Sequence, residues 1–422
     1  MAVLTHSART ATPPVGLFSL PVLVAALGYF VDIYDLLLFG IVRVPSLRDL
    51  GLTADQISSV GTRILNGQMG GLLLGGILWG VLGDKRGRLS VLFGSILTYS
   101  VANLACVLIT HVTFMDPVTY YTLMRFVAGL GLAGELGVSI TLVSELLPAR
   151  QRAIGTSLVA GIGILGAVVA FFTVKLLDWQ LAFFTGGALG IALLMLRVGV
   201  IESGMFTQVK GQSSISRGNF LAFFTNRNRL SRYLKCIAIG LPTWFVIGVL
   251  ATFSNEFGKA FGITQAVQPG LAILWSYVGL AVGDLASGLI SHYLASRRKA
   301  VGLLMGLALM GYLVFLYSGI DTPFQLYGLC LFMGMGIGYW AMFVTIGAEQ
   351  FGTNLRATAA TTVPNMVRGL VIPMTLSYQA LKPSLNVINA GAVVGLICFL
   401  LGFYAILTIP ETHNRALDFL EE

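Results

Sequence analysis

Two carboxylates three residues apart, Asp32 and Asp35, interrupt the apolar run Gly28-Tyr-Phe-Val-Asp32-Ile-Tyr34-Asp35-Leu-Leu-Leu-Phe39-Gly40. On a helix that spacing puts both acids on one face. Neighbouring carboxylates raise each other's proton affinity and a nearby guanidinium lowers it. Such a pair can therefore load and release a proton when an arginine moves toward or away from it. Three arginines lie in comparably apolar surroundings, Arg63, Arg125 and Arg368, and so does a third acid, Glu135. An ionisable side chain at bilayer depth is costly and is a functional candidate by default. The competing reading is a structural ion-pair network that ties helices together.

The elements that must hold these charges follow from composition. Of 422 residues, 56% are hydrophobic and 10% are charged, with 51 glycines. An ordinary soluble domain carries roughly 25% charged residues, and here the mean hydropathy is +0.85. Twelve apolar runs approach or exceed the ~20 residues that cross a bilayer: 17–40, 57–83, 90–110, 119–147, 154–174, 180–200, 235–254, 267–294, 300–319, 324–348, 358–380 and 387–409. With both termini cytoplasmic, 18 Lys and Arg fall in inner segments, 5 in outer segments and 3 inside spans. Positive charge stays on the cytoplasmic side, so the net charge of +8 reports orientation, not nucleic-acid binding. The first residues lack the pattern of a cleaved signal peptide, and the first span is expected to be retained.

The expected fold is thus an all-α membrane protein with twelve transmembrane helices in two six-helix bundles. The divisions are a cytoplasmic tail 1–16, a bundle 17–200, a cytoplasmic linker 201–234, a second bundle 235–409 and a tail 410–422. A weak internal repeat supports two halves. Span four leaves through Glu145-Leu-Leu-Pro-Ala-Arg-Gln-Arg152-Ala, and span ten through Glu349-Gln-Phe-Gly-Thr-Asn-Leu-Arg356-Ala. Repeated six-helix halves place a substrate site near midplane at their interface. At ~1.5 Å per residue, Asp35, Arg63 and Arg125 all lie roughly 9 Å from the outer ends of their spans, which predicts one buried layer. Arg368 falls near midplane with Asn365 one turn earlier. Its fork could bind a substrate carboxylate or pair with an internal acid.

The loop after span two, Gly80-Val-Leu-Gly83-Asp84-Lys85-Arg86-Gly87-Arg88, resembles the signature between helices two and three of the major facilitator superfamily. That resemblance implies a conformational gate built from Gly80, Asp84 and Arg88, with Glu145, Arg152, Glu349 and Arg356 beside it. The corresponding segment of the second half carries His292 where an acid is expected, and Asp284 one turn earlier could substitute. Span one and the run Arg125-Phe-Val-Ala-Gly129-Leu-Gly131-Leu-Ala-Gly134-Glu135 of span four are similar to the metabolite:proton symporters. Sugar porters and aromatic-acid symporters share parts of both patterns. The resemblance implies proton coupling through Asp32, Asp35 and Glu135. It also implies a cavity lined by helices one, four, seven and ten, making Tyr34, Trp244, Tyr339 and Trp340 candidates for substrate contact alongside Arg63, Arg125, Arg368 and Asn365.

The sequence has no phosphate-binding loop, no HExxH pair and no cysteine cluster, and its four histidines are dispersed. No enzyme, cofactor or metal site is expected. The leading reading is a monomeric transporter in the cell (inner) membrane that couples protons to a small, anionic organic acid. An uncoupled facilitator, a proton-driven exporter of amphipathic compounds and a transporter-like sensor are the alternatives.

Overall fold

The computed structural model describes residues 16–148, 151–197, 219–413 and 419–421. Of the linker and tails, residues 1–15, 201–218, 414–418 and 422 lie outside them. Among the described residues every regular element is a helix. The first half comprises α1 (Leu20–Asp49), α2 (Ala54–Arg86), α3 (Arg88–Val107), a fourth span split into α4 (Pro117–Leu132) and α5 (Glu135–Leu146), a fifth split into α6 (Arg152–Ile164) and α7 (Gly166–Leu176), and α8 (Trp179–Leu196). A short α9 (Ala222–Thr225) precedes span seven, which runs as α10 (Arg227–Phe245), a π-helical stretch Val246–Ala251 and α11 (Ser254–Ala260). Then follow α12 (Pro269–Leu294), α13 (Arg297–Tyr317), a tenth span split into α14 (Pro323–Ile337) and α15 (Trp340–Gln350), α16 (Arg356–Gly369) and α17 (Val371–Thr408). The last helix turns at Asn386, where φ is 65°, and so contains the end of span eleven and all of span twelve. Among the described residues, eleven helical stretches are long and apolar enough to cross a membrane, the last of them covering these two spans.

Two boundaries differ from the hydropathy reading for identifiable reasons. Helix α1 continues past residue 40 to Asp49, carrying Pro45 and two arginines beyond the apolar run. Helix α10 starts at Arg227, where the Asn226 side chain accepts the amides of Asn228 and Arg229. Its first turns, Arg227-Asn-Arg-Leu-Ser-Arg, are polar. A hydropathy window therefore misses a start that the cap defines.

Glycine sets two features on which the site depends. Between α2 and α3 the chain reverses at Gly87, whose φ of 110° suits only a residue without Cβ. Helices α2 and α4 touch backbone to backbone, since a Cβ on Gly71 would lie 2.1 Å from the Phe126 carbonyl and one on Gly129 2.2 Å from that of Gln68. In lipid, small residues of this kind permit close helix association.

The α2–α3 turn, both described chain ends and the starts of α6, α13 and α16 share one face, called here the basic face. Leu17 approaches Gly155 there, and Phe419–Glu421 pack on Gly352–Asn354. One apolar core runs through both halves. A second core, around Tyr34, Phe39, Val42, Ile64, Tyr121 and Phe183, belongs wholly to the first half at the opposite end. The halves meet through α16 on α2 and α5 and through α12 on α6, so their interface is concentrated from the basic face to midplane.

Candidate functional site

A narrow cleft of about 10 Å³ lies between the halves, lined by Tyr29 and Ile33 of α1, Ile164 of α6, Trp244 of α10, Trp340 of α15 and Arg368 of α16, with Thr243, Ile247, Tyr277 and Leu280 completing its wall. That is room for about one water molecule, so the halves are packed almost shut around these residues and a substrate enters only if they separate. The Arg368 guanidinium lies 5.7 Å from the Trp244 ring and 5.8 Å from the Trp340 ring, within cation–π range. Asn365 orients it: Oδ1 accepts from Arg368 Nη1 at 3.1 Å, while Nδ2 donates to Ala133 of the other half at 3.0 Å. Arg368 Nε, Trp244 Nε1 and the Thr243 hydroxyl are buried without a hydrogen-bond partner among the described residues. Buried donors are normally satisfied, and three together define a place for an acceptor-rich ligand.

Asp32 and Asp35 are fully buried, and none of their four carboxylate oxygens has a hydrogen-bond partner among the described residues. Their neighbours differ. The cation that acts most on Asp32 is Arg368, across the interface between halves, whereas for Asp35 it is Arg125 within the first half. Arg125 is anchored by Nη1 to Asn103 Oδ1 at 2.8 Å and by Nη2 to the Asp35 carbonyl at 3.2 Å, with its guanidinium 5.4 Å from the Phe183 ring. The expected single layer of Asp32, Asp35, Arg63 and Arg125 is not formed: Asp35 and Arg125 lie together inside the first half, Asp32 has Arg368 across the interface, and Arg63 is exposed.

Several expected members lie elsewhere. Arg63 is exposed on the far end of α2, where it acts on Asp116, the residue that caps α4. Gly61 and Ile64 on either side of it are buried, so Arg63 stands on the outward face of a turn whose inner face packs in the second core. Arg125 does not reach the cleft because Asn103 and Asp35 hold it inside the first bundle. Tyr34 donates to the Ala182 carbonyl at 3.0 Å within the far core, and Tyr339 donates to that of Ile239 at 3.1 Å. Neither lines the cleft. Glu135 is clamped by both terminal nitrogens of Arg197 and accepts from Ser139 at 2.9 Å. Arg197 is 1% exposed, because it ends α8 inside the bundle. Conversely, Tyr29, Thr243 and Tyr277 escaped the sequence reading. The only signal for Tyr29 was its position one turn before Asp32.

On the basic face Asp84 is 1% exposed and spans the halves. Its carboxylate accepts from the amides of Ala357 and Thr358, at 3.0 and 2.8 Å, and from the Thr358 hydroxyl at 2.7 Å. It thus caps the first turn of α16, where a negative charge is favoured, in addition to any basic partner. Arg356 of that turn bonds Glu145 of the other half at 2.9 Å, with both side chains fully buried. Gly80 packs against Thr358, which a Cβ would meet at 2.9 Å. The side chains of Arg88 and Arg152 lie outside those described. In the second half His292 is exposed and Asp284 lies at midplane, so neither fills the expected acidic position. Glu349 instead takes both Arg297 Nε and Nη2, at 2.6 and 2.8 Å.

Two six-helix halves meeting around a midplane cleft, with cross-half contacts gathered on one face, define an alternating-access membrane transporter, not an enzyme. The Major Facilitator Superfamily profile matches residues 25–375, and the chain belongs to that superfamily. It is 30% identical over 417 residues to a putative metabolite transport protein of Haemophilus influenzae, covering 93% of this chain and 96% of that one. It is 26% identical over 408 residues to the niacin transporter NiaP of Acinetobacter baylyi, covering 87% and 88%. The fold matches the proton:xylose symporter XylE, solved with 6-bromo-6-deoxy-D-glucose, with a TM-score of 0.75, 18% identity, and coverage of 95% of this chain and 98% of that one.

Proposed function

We propose that the protein imports a small organic acid with a proton, as a monomer in the cell (inner) membrane with both termini cytoplasmic. The observation that carries this reading is the charge arrangement of the cleft. Arg368, with unpartnered donors beside it, faces the unpartnered Asp32 across the interface. A substrate carboxylate and an ionised Asp32 would compete for the same guanidinium. Protonating Asp32 releases Arg368 for the substrate, which links proton loading to anion binding. Asp35, beside Arg125 and inside one bundle, is the second acid through which the proton passes. The two indoles favour a flat ring on the carboxylate, and niacin, the cargo named for the Acinetobacter relative, is such a molecule.

In this reading the basic face is the cytoplasmic one, and the cross-half bonds of Asp84 with Thr358 and of Glu145 with Arg356 support a gate that is shut there. Removing one partner of a buried ion pair leaves an uncompensated charge, so Glu145→Gln should favour opening. A bias of ~1 kcal/mol changes a population about fivefold. Thr345, which hydrogen-bonds Thr156 across the halves at 2.9 Å, reports it. A Thr345→Cys thiol should react about fivefold faster with a membrane-impermeant maleimide from the basic face when Glu145→Gln is added. Unchanged reactivity would contradict the gate.

The reading is tested in proteoliposomes carrying an inside-alkaline pH gradient, with labelled nicotinate, benzoate and xylose. Accumulation of an aromatic acid but not xylose is expected. Equilibration without accumulation would indicate a facilitator, accumulation only under the opposite gradient an exporter, and no flux of any solute would remove the transport reading for these substrates.

A further inference from the structure

Span ten is broken beside the cleft. Helix α14 ends at Ile337, Gly338 and Tyr339 leave helical geometry, with ψ of 46° and 21°, and α15 restarts at Trp340. A restarted helix exposes its first amides, and Tyr339, in the capping position, makes no side-chain cap. The missing acceptor comes from another helix: Asp284 of α12 takes the Ala341 amide on Oδ1 at 2.9 Å. It can do so because α12 and span ten touch at glycines. A Cβ on Gly338 would lie 2.4 Å from the Gly283 Cα and 2.8 Å from the Asp284 nitrogen. Asp284 is 0% exposed and its Oδ2 has no partner among the described residues. A fully buried carboxylate is an expensive way to supply one hydrogen bond, and its position accounts for it. The residue adjoining the capped amide is Trp340, whose ring forms the cleft wall with Trp244, 6.0 Å away, and stands over Arg368.

We infer that Asp284 is a positioning residue for the substrate site: it fixes where α15 begins and thereby holds the Trp340 indole against Arg368. Its acceptor oxygen, rather than its titration, carries the role. The groups around it are Tyr29 of α1, Tyr277 of its own helix and the start of α15; Asp284 and Arg368 both act on Tyr29. The inference rests on the cleft being the substrate site.

The experiment is a double-mutant cycle on nicotinate and benzoate binding, read with Trp340 fluorescence taken as wild type minus Trp340→Phe. Asp284→Ala should weaken binding about tenfold, as loss of one charge-assisted hydrogen bond does, and shift Trp340 emission to the red. Asp284→Asn, which keeps an acceptor and is expected to fold, should stay within about threefold of wild type with an unchanged pH profile. In a Trp340→Ala background the Asp284→Ala effect should largely disappear, because coupled residues are not additive. Additive losses, unshifted emission, or an altered pH profile in Asp284→Asn would overturn the inference. A Trp340→Ala protein that binds both acids normally would instead overturn the assignment of the cleft. If Asp284→Ala does not fold, Asp284→Ser and Asp284→Leu, with and without a side-chain acceptor, decide the same question through Trp340 emission.

Discussion

Asp35→Asn should abolish gradient-driven accumulation while leaving exchange of substrate across the membrane. A one-unit pH step is worth about 1.4 kcal/mol per proton, a tenfold accumulation at one proton per substrate. Losing the proton site should lower that ratio to about one. The reason is geometric. Asp35 is buried, neither of its oxygens has a hydrogen-bond partner among the described residues, and the arginine next to it is itself fixed by Asn103, so its charge state is free to depend on the conformation of the first half. Asparagine occupies the same volume as a permanently neutral group. The loaded transporter can then cycle between faces, and net concentrating transport stops. Counterflow of labelled substrate under equal pH is the check: exchange within about threefold of wild type, with no accumulation under a gradient, fits the assignment. Intact accumulation would remove Asp35 from the coupling.

Arg368→Gln should cost the most in affinity. Hydrogen bonds to charged groups contribute ~1.5–3 kcal/mol, which corresponds to roughly 10–150-fold in dissociation constant. Arg368→Lys keeps the charge but loses the planar fork and its stacking on indole, so it should fall between. Because Arg368 is also the cation facing Asp32, Arg368→Gln should change the pH dependence of binding as well as its strength. Asn365→Ala, which removes the Oδ1 support without touching the cleft, should give a smaller loss. Titrating nicotinate and benzoate against these variants measures the order Gln, Lys, Asn365→Ala, wild type. Equal affinity in all four would exclude Arg368 from the substrate site.

Charges in apolar runs were the legible part of this molecule. Asp32, Asp35, Arg125 and Arg368 stand out because nothing in lipid tolerates them without a partner or a task, and all four are buried near the cleft or beside it. The same logic failed for Arg63, which faces outward although Gly61 and Ile64 beside it are buried, and it passed over Arg197, which lies in the run 180–200 and is buried against Glu135. Glu145 and Arg356 were singled out by the local repeat, but the bond from Asp84 to the first turn of α16 joins residues 84 and 358, and no pattern along the chain announces it. Tyr29, Thr243 and Tyr277 are ordinary packing residues by type. Only the meeting of α1, α10 and α12 makes them a wall. Asp284 shows the opposite case: its charge was visible, but its partner, a helix start in span ten, exists only because Gly338 and Tyr339 break that helix.

If a proton and an organic acid enter together, with Asp35 carrying the proton, the pH of a lightly buffered suspension of proteoliposomes reports it most directly when nicotinate or benzoate is added outside. External alkalinisation on substrate addition is expected in wild type and none in Asp35→Asn. Substrate entry without any pH change in wild type, or the same alkalinisation in Asp35→Asn, would contradict it.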